Sequence, residues 1–178
     1  MRTYISTFDT KINAYIAQWP HWLNGYMHTV SFLGLPIITL MISALIIGWG
    51  IMQSNTRLWV AGGAATLTIG ANALMKLVFQ RERPETSYVE EMLIHSYSFP
   101  SGHSAGSMVV YGLLAYLAFH TLPGPWGGIV AVLLGLLILS IGLSRIYLGA
   151  HFASDVLGGW ALGALGLFVI IYFIRPIL

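Results

Sequence analysis

Apolar residues in this chain run in long stretches, and polar residues crowd into short clusters between them. No Asp, Glu, Lys or Arg lies between Lys11 and Arg57, between Arg57 and Lys76, between Glu91 and Arg145, or between Asp155 and Arg175. A helix needs about 20 mainly apolar residues to cross a hydrocarbon core of about 30 Å. The pattern therefore predicts an all-α fold, a polytopic transmembrane helix bundle with five spans near 31–52, 58–79, 104–121, 126–145 and 153–174. The central gap divides into two spans at Thr121-Leu122-Pro123-Gly124-Pro125. Composition agrees, since charged residues make up 8% of the chain, against about 25% in a soluble domain.

Residues 1–30 differ. Tyr4, Ile5, Phe8, Ile12, Tyr15, Ile16 and Trp19 recur at helical spacing among Asp9, Lys11, Asn13 and Gln18. That mixture predicts an amphipathic helix lying in the membrane interface, with a loose N-terminal tail as the alternative. Asp9 and Lys11 interrupt the continuous apolar core that a secretory signal peptide has. The whole chain, 1–178, reads as one membrane-embedded domain with no internal repeat or linker. It has no cysteine, which excludes disulfides and thiolate chemistry. A net charge of +2 without a basic run argues against nucleic acid as a partner.

The candidate chemistry lies in three clusters: Lys76 with Arg83-Pro84, then Pro100-Ser101-Gly102-His103, then Ser144-Arg145 with His151 and Asp155. Counting crossings places the loop after span two and the loop after span four on the same side. All three clusters therefore face one leaflet. Ser101 is suited to cap a helix whose free N–H groups and positive dipole end favour an oxyanion, and Gly102 permits close approach. His151 and Asp155 are four residues apart, so on a helix they share a face. The carboxylate can then orient one imidazole nitrogen and leave the other as a nucleophile. Arg83 and Arg145 can grip phosphate oxygens in pairs, and Lys76 adds a point charge. Three cations can offset a phosphate dianion without a metal.

Each cluster alone also has a plainer reading. Lys76, Arg83 and Arg145 suit snorkelling cations, and His103 suits a solvated helix cap. His151 with Asp155 suits half a metal site, completed by Glu90, Glu91 or His95. The acidic residues Glu82, Glu85, Glu90 and Glu91 read as a solvated loop face.

Written together, K-x6-R-P, P-S-G-H and S-R-x5-H-x3-D form a signature that resembles the type 2 phosphatidic acid phosphatase superfamily, directly from Lys76 to Asp155. The resemblance implies a helical membrane domain and metal-independent hydrolysis of a phosphomonoester or diphosphate, with no cofactor. It implies that Lys76, Arg83, Ser101, Gly102 and Arg145 bind phosphate. It implies that His151 attacks phosphorus, Asp155 orients it, and His103 protonates the leaving oxygen. Ser144 matches the pattern without a defined role. The implied partner is a phosphorylated membrane lipid, such as undecaprenyl diphosphate, phosphatidylglycerol phosphate or phosphatidic acid. The implied location is the bacterial cytoplasmic membrane, with the site on the outer face. Several bacterial members have six spans; here the amphipathic segment stands in place of the first.

The alternatives are a lipid phosphotransferase, a non-enzymatic carrier of a phosphorylated lipid, and a vanadate-dependent peroxidase, against which the hydrophobic spans argue. Gly102-x3-Gly106 and Gly159-x3-Gly163 allow close helix approach, within the bundle or at a homodimer seam.

Overall fold

The computed structural model describes residues 7–91 and 96–175, so Tyr4, Ile5 and His95 lie outside the described residues. The described chain is helical: α1 Thr7–Ile16, a 3₁₀ turn at His21–Leu23, α2 Asn24–Leu33, α3 Pro36–Met52, α4 Thr56–Phe79, α5 Ser87–Glu90, α6 Gly102–Thr121, α7 Trp126–Tyr147 and α8 Ala153–Ile174. Four of the five expected spans coincide with α4, α6, α7 and α8 to within two residues at each end. Their polarity is reversed from that of a soluble protein. Leu67 and Val78 are exposed at 75% and 78%, whereas Arg145, His151 and Asp155 are buried. Apolar side chains outside and polar groups inside is the arrangement a bilayer imposes.

The first expected span, 31–52, is not continuous. Leu35 precedes Pro36 and takes an extended conformation, with ψ 137°. Steric conflict between a proline ring and the residue before it disfavours the helical region there. The chain therefore breaks into α2 and α3, bent by 44°. Three helices, α4, α7 and α8, are long and apolar enough to cross a membrane alone, and the bent pair makes a fourth candidate. The expected count of five exceeds this because α6 is not among them. This 20-residue helix packs against α3, α4, α7 and α8 and buries Ser104 and Ser107 on its inner face. A helix enclosed by its neighbours need not be apolar all round.

The helices meet through three apolar clusters. Ile46, Ala65, Ile69, Val109, Leu113 and Ile170 join α3, α4, α6 and α8. Val30, Tyr111, Ile138 and Ile141 join α2, α6 and α7. Ile16, Ile146, Ala153 and Val156 seat α1 on α7 and α8. The small-residue spacings serve contacts inside this bundle. A Cβ on Gly159 would lie 2.5 Å from Ser101 O, and one on Gly163 would lie 2.6 Å from Ala105 O. On the other side of α6, a Cβ on Gly106 would lie 2.8 Å from Thr39 Oγ1. Between them, these glycines let α6 sit close to both α8 and α3.

Helix α1 departs from expectation in which face it buries. Asp9 and Ile16 are buried, while Phe8 and Tyr15 of the expected apolar face are exposed. Asp9, Ile12, Asn13 and Ile16 lie on one side at helical spacing, and that side rests on α8. The charge that looked like an interruption is an anchor.

Candidate active site

Lys76 lies in the last turn of α4, which ends at Gln80 in the left-handed region, φ +47°, with the Gln80 N–H on Lys76 O at 2.9 Å. The loop that follows pairs with the segment leading into α6, where Ser98 N donates to Arg81 O at 2.7 Å and Ser98 Oγ to Glu82 O at 2.9 Å. Lys76 Nζ closes the corner by donating to Tyr97 O at 2.5 Å and Ser98 O at 3.3 Å. The loop is also fastened to the turn between α7 and α8, through Thr86 Oγ1 donating to Gly149 O at 3.1 Å. Gly149 is required twice there. Its φ is +69°, and a Cβ would fall 2.8 Å from Thr86 Cγ2.

The Pro100–His103 turn is held from both sides. Asn72 Nδ2 donates to Pro100 O at 3.3 Å, and a Cβ on Gly102 would meet Asn72 Oδ1 at 3.2 Å. Ser101 N donates to Asp155 O at 2.9 Å, which ties the start of α6 to the start of α8. Ser101 caps α6 by accepting from Ser104 N at 3.4 Å. The Nε2 atom of His103 is buried without a hydrogen-bond partner among the described residues.

At the centre, His151 Nδ1 lies 3.3 Å from Asp155 Oδ2, and His151 Nε2 lies 3.2 Å from Arg83 Nη1. A carboxylate can only accept and a guanidinium can only donate. The proton therefore belongs on Nδ1, and Nε2 presents its lone pair. Burial first, then Arg83, Arg145 and Lys76, hold the His151 pKa well below the usual histidine value. That shift favours the neutral imidazole, the form in which nitrogen can attack. Arg83 is itself fixed by donating to Ser96 O at 2.7 Å, Ser96 Oγ at 3.0 Å and Ala150 O at 2.9 Å.

The structure thus brings Lys76, Arg83, Ser101, Gly102, His103, Arg145, His151 and Asp155 to one end of the bundle. They are not all in mutual contact. Arg145, 1% exposed, donates to Ser31 Oγ of α2 and to Tyr88 Oη of α5 at 3.2 Å, with its guanidinium 5.4 Å from the centre of the Tyr88 ring. Ser144 turns away and donates to Ile141 O at 2.7 Å within its own helix. Glu82, Glu85, Glu90 and Glu91 are exposed, as a solvated loop face requires. Among the described residues, no three His, Cys, Asp or Glu side chains are grouped so as to hold a metal ion. A cavity of about 800 Å³ opens beside Lys76 and Arg83, walled by Ala73, Leu77, Pro84, Val89 and Tyr97.

Sequence reasoning missed Arg81, Asp9, Asn13, Asn72 and Tyr88. Arg81 Nη1 donates to Asp155 Oδ1 at 2.6 Å, and Nη2 to Asp9 Oδ2 at 2.8 Å. A signal for the Arg81–Asp155 pair was present: in a chain with six acidic and eight basic residues, a carboxylate in an apolar helix calls for a cation.

Comparison with known proteins shows the family. Residues 57–177 match the family model of the PAP2 superfamily. The chain is 36% identical over 162 residues to phosphatidylglycerophosphatase B of Bacillus subtilis, covering 84% of this chain and 74% of that protein. It is 28% identical over 147 residues to an undecaprenyl-diphosphatase of Sulfolobus acidocaldarius, covering 80% and 66%. Among solved structures, the transmembrane PAP2-type phosphatidylglycerolphosphate phosphatase of Bacillus subtilis superposes with a TM-score of 0.74 at 30% identity, over 97% of this chain and 89% of that one. The chain belongs to the PAP2 superfamily and is an integral membrane phosphatase.

Proposed function

We propose that this protein is a metal-independent lipid phosphatase that transfers the phosphoryl group of a membrane lipid to His151 and then to water. One observation carries the reading: a buried His151 has Nδ1 on a carboxylate and Nε2 directed at a guanidinium. In the first step Nε2 forms a bond to phosphorus, the bond from phosphorus to the leaving oxygen breaks, and His103 gives that oxygen a proton. In the second step His103 takes a proton from water, the hydroxide attacks phosphorus, and the N–P bond breaks to release phosphate. Lys76, Arg83 and Arg145 offset the charge on the phosphoryl oxygens, with Ser101 and Gly102 at the α6 terminus. Asp155 holds the ring and balances the positive charge that forms on it.

Relatives named for phosphatidylglycerol phosphate and undecaprenyl diphosphate make these two the first substrates to try, followed by phosphatidic acid. The site belongs, in this reading, on the outer face of a bacterial cytoplasmic membrane, with α1 in the interface. Detergent-solubilised protein incubated with the three lipids in excess chelator should release phosphate, and His151→Ala should release none. Release that survives this substitution would remove His151 as nucleophile. Transfer of the phosphoryl group to a second lipid, in place of free phosphate, would make the protein a phosphotransferase.

A further inference from the structure

The ion pairs behind the nucleophile are not accounted for by phosphate binding. Arg81 lies between two buried carboxylates, Asp9 at 1% exposed and Asp155 at 0%, and its guanidinium carbon sits 4.4 Å from the centre of the Phe152 ring. Asp155 divides its oxygens. Oδ1 accepts from Arg81 Nη1 at 2.6 Å, whereas Oδ2 accepts from Phe152 N at 2.9 Å and faces His151 Nδ1 at 3.3 Å. Without the Arg81 bond, one oxygen of this carboxylate would lose its charged partner, and the carboxylate could turn away from the imidazole.

Helix α1 holds the other side of the same turn. Asp9 Oδ1 accepts from Ser154 N at 2.8 Å, and Asp9 Oδ2 from Ser154 Oγ at 2.8 Å and Arg81 Nη2 at 2.8 Å. One turn later, Asn13 Oδ1 accepts from Ala153 N and Asn13 Nδ2 donates to His151 O, both at 3.1 Å. The backbone on either side of Phe152 is therefore gripped by α1. Charge matters as much as shape. Arg81 alone would neutralise Asp155 and deprive a positively charged phosphoimidazole of its counter-ion. Asp9 offsets Arg81 and leaves the trio with one net negative charge.

We propose that Arg81 and Asp9 are positioning residues for the reaction, an ion pair that aims Asp155 Oδ2 at His151 and preserves the carboxylate's charge. The proposal rests on the assignment of His151 and Asp155 above. Neither residue is among the phosphate-binding groups, so their loss should lower kcat and leave KM nearly unchanged.

The test is steady-state hydrolysis of dioctanoyl phosphatidic acid in detergent micelles by full-length Arg81→Gln, Arg81→Lys, Asp9→Asn and His151→Ala. Arg81→Gln and Asp9→Asn should each lose about 10–10²-fold in kcat, with Arg81→Lys recovering part of the loss. The acid limb of kcat/KM separates positioning from general weakening of the fold. Removing the cation should move it to higher pH, and removing the anion should move it to lower pH. The other groups facing His151, namely Lys76 on α4, Arg83 on the loop, His103 on α6, Arg145 on α7 and Asp155 on α8, are the same in both variants. Wild-type kcat in both, or limbs that stay in place or move together, would overturn the proposal. If Arg81→Gln does not fold, the near-isosteric Asp9→Asn decides: wild-type kcat overturns the proposal, and a kcat loss with a downward limb shift supports it. An inactive His151→Ala beside fully active Arg81 and Asp9 variants would defeat the positioning proposal alone, whereas an active His151→Ala would defeat the reading beneath it.

Discussion

The lone pair of His151 Nε2 is covered by Arg83 Nη1 at 3.2 Å, so the expected nucleophile and the expected phosphate clamp are in direct contact. On the proposed mechanism, substrate binding exchanges this nitrogen for a phosphoryl oxygen on the guanidinium. The contact also favours the neutral ring, second only to burial.

Removing that cation separates its charge from its shape. Arg83→Gln should lower kcat/KM and move its acid limb to higher pH, because His151 then protonates more readily. Burial remains, so the limb should stay below the usual histidine pKa of about 6.5. Arg83→Lys retains the charge but loses the fork that spans Ser96 and Ala150. It should lose about 10-fold or more in kcat/KM with little displacement of the limb. A pH–rate profile of the three proteins checks both statements.

His103→Ala should slow turnover by about 10²–10⁴-fold on a monoester, whose alkoxide leaving group needs a proton. A diphosphate lipid departs as a phosphate and should suffer less. Parallel assays of phosphatidic acid and undecaprenyl diphosphate with this variant would show the difference. Equal losses on both would contradict a general-acid role.

Acid should destabilise the protein through His151. Its pKa is depressed in the folded state, so the unfolded chain binds more protons once pH falls below about 6.5. Stability from this group is fully present above that value and is lost as pH falls toward the folded pKa. Thermal unfolding in detergent between pH 7 and pH 5 should show a steeper fall for wild type than for His151→Ala.

Two glycines predict opposite stability effects. Gly159→Ala places a methyl 2.5 Å from Ser101 O and 2.8 Å from Ser104 Cβ, forcing α8 away from α6 at the site. A loss of about 1–3 kcal/mol and reduced activity are expected. Gly63→Ala on α4 meets nothing within 4 Å and should be neutral or stabilising by up to about 1 kcal/mol. Melting temperatures of the two variants give the comparison.

Polarity pattern alone located α4, α6, α7 and α8, because long uncharged runs have few stable forms in a bilayer. Counting crossings from the same pattern assigned Lys76, Arg83, the Ser101–His103 turn, Arg145, His151 and Asp155 to a common side, and the structure gathers them at one end of the bundle. The sequence also carried the local signals for the α2–α3 break, Gly34 and the pre-proline Leu35. The role of Asp9 was not legible. A charge in an amphipathic segment reads as solvent-facing until a partner is known, and its partner Arg81 lies 72 residues away. Ser31 and Tyr88 escaped notice for the same reason, since only packing of α2 and α5 brings them to Arg145. The sequence determined which side chains are candidates for the chemistry and that they gather at one end of the bundle. Tertiary packing decided which carboxylate oxygen meets which donor, because hydrogen bonds between distant segments depend on ångström-scale placement that no periodicity encodes.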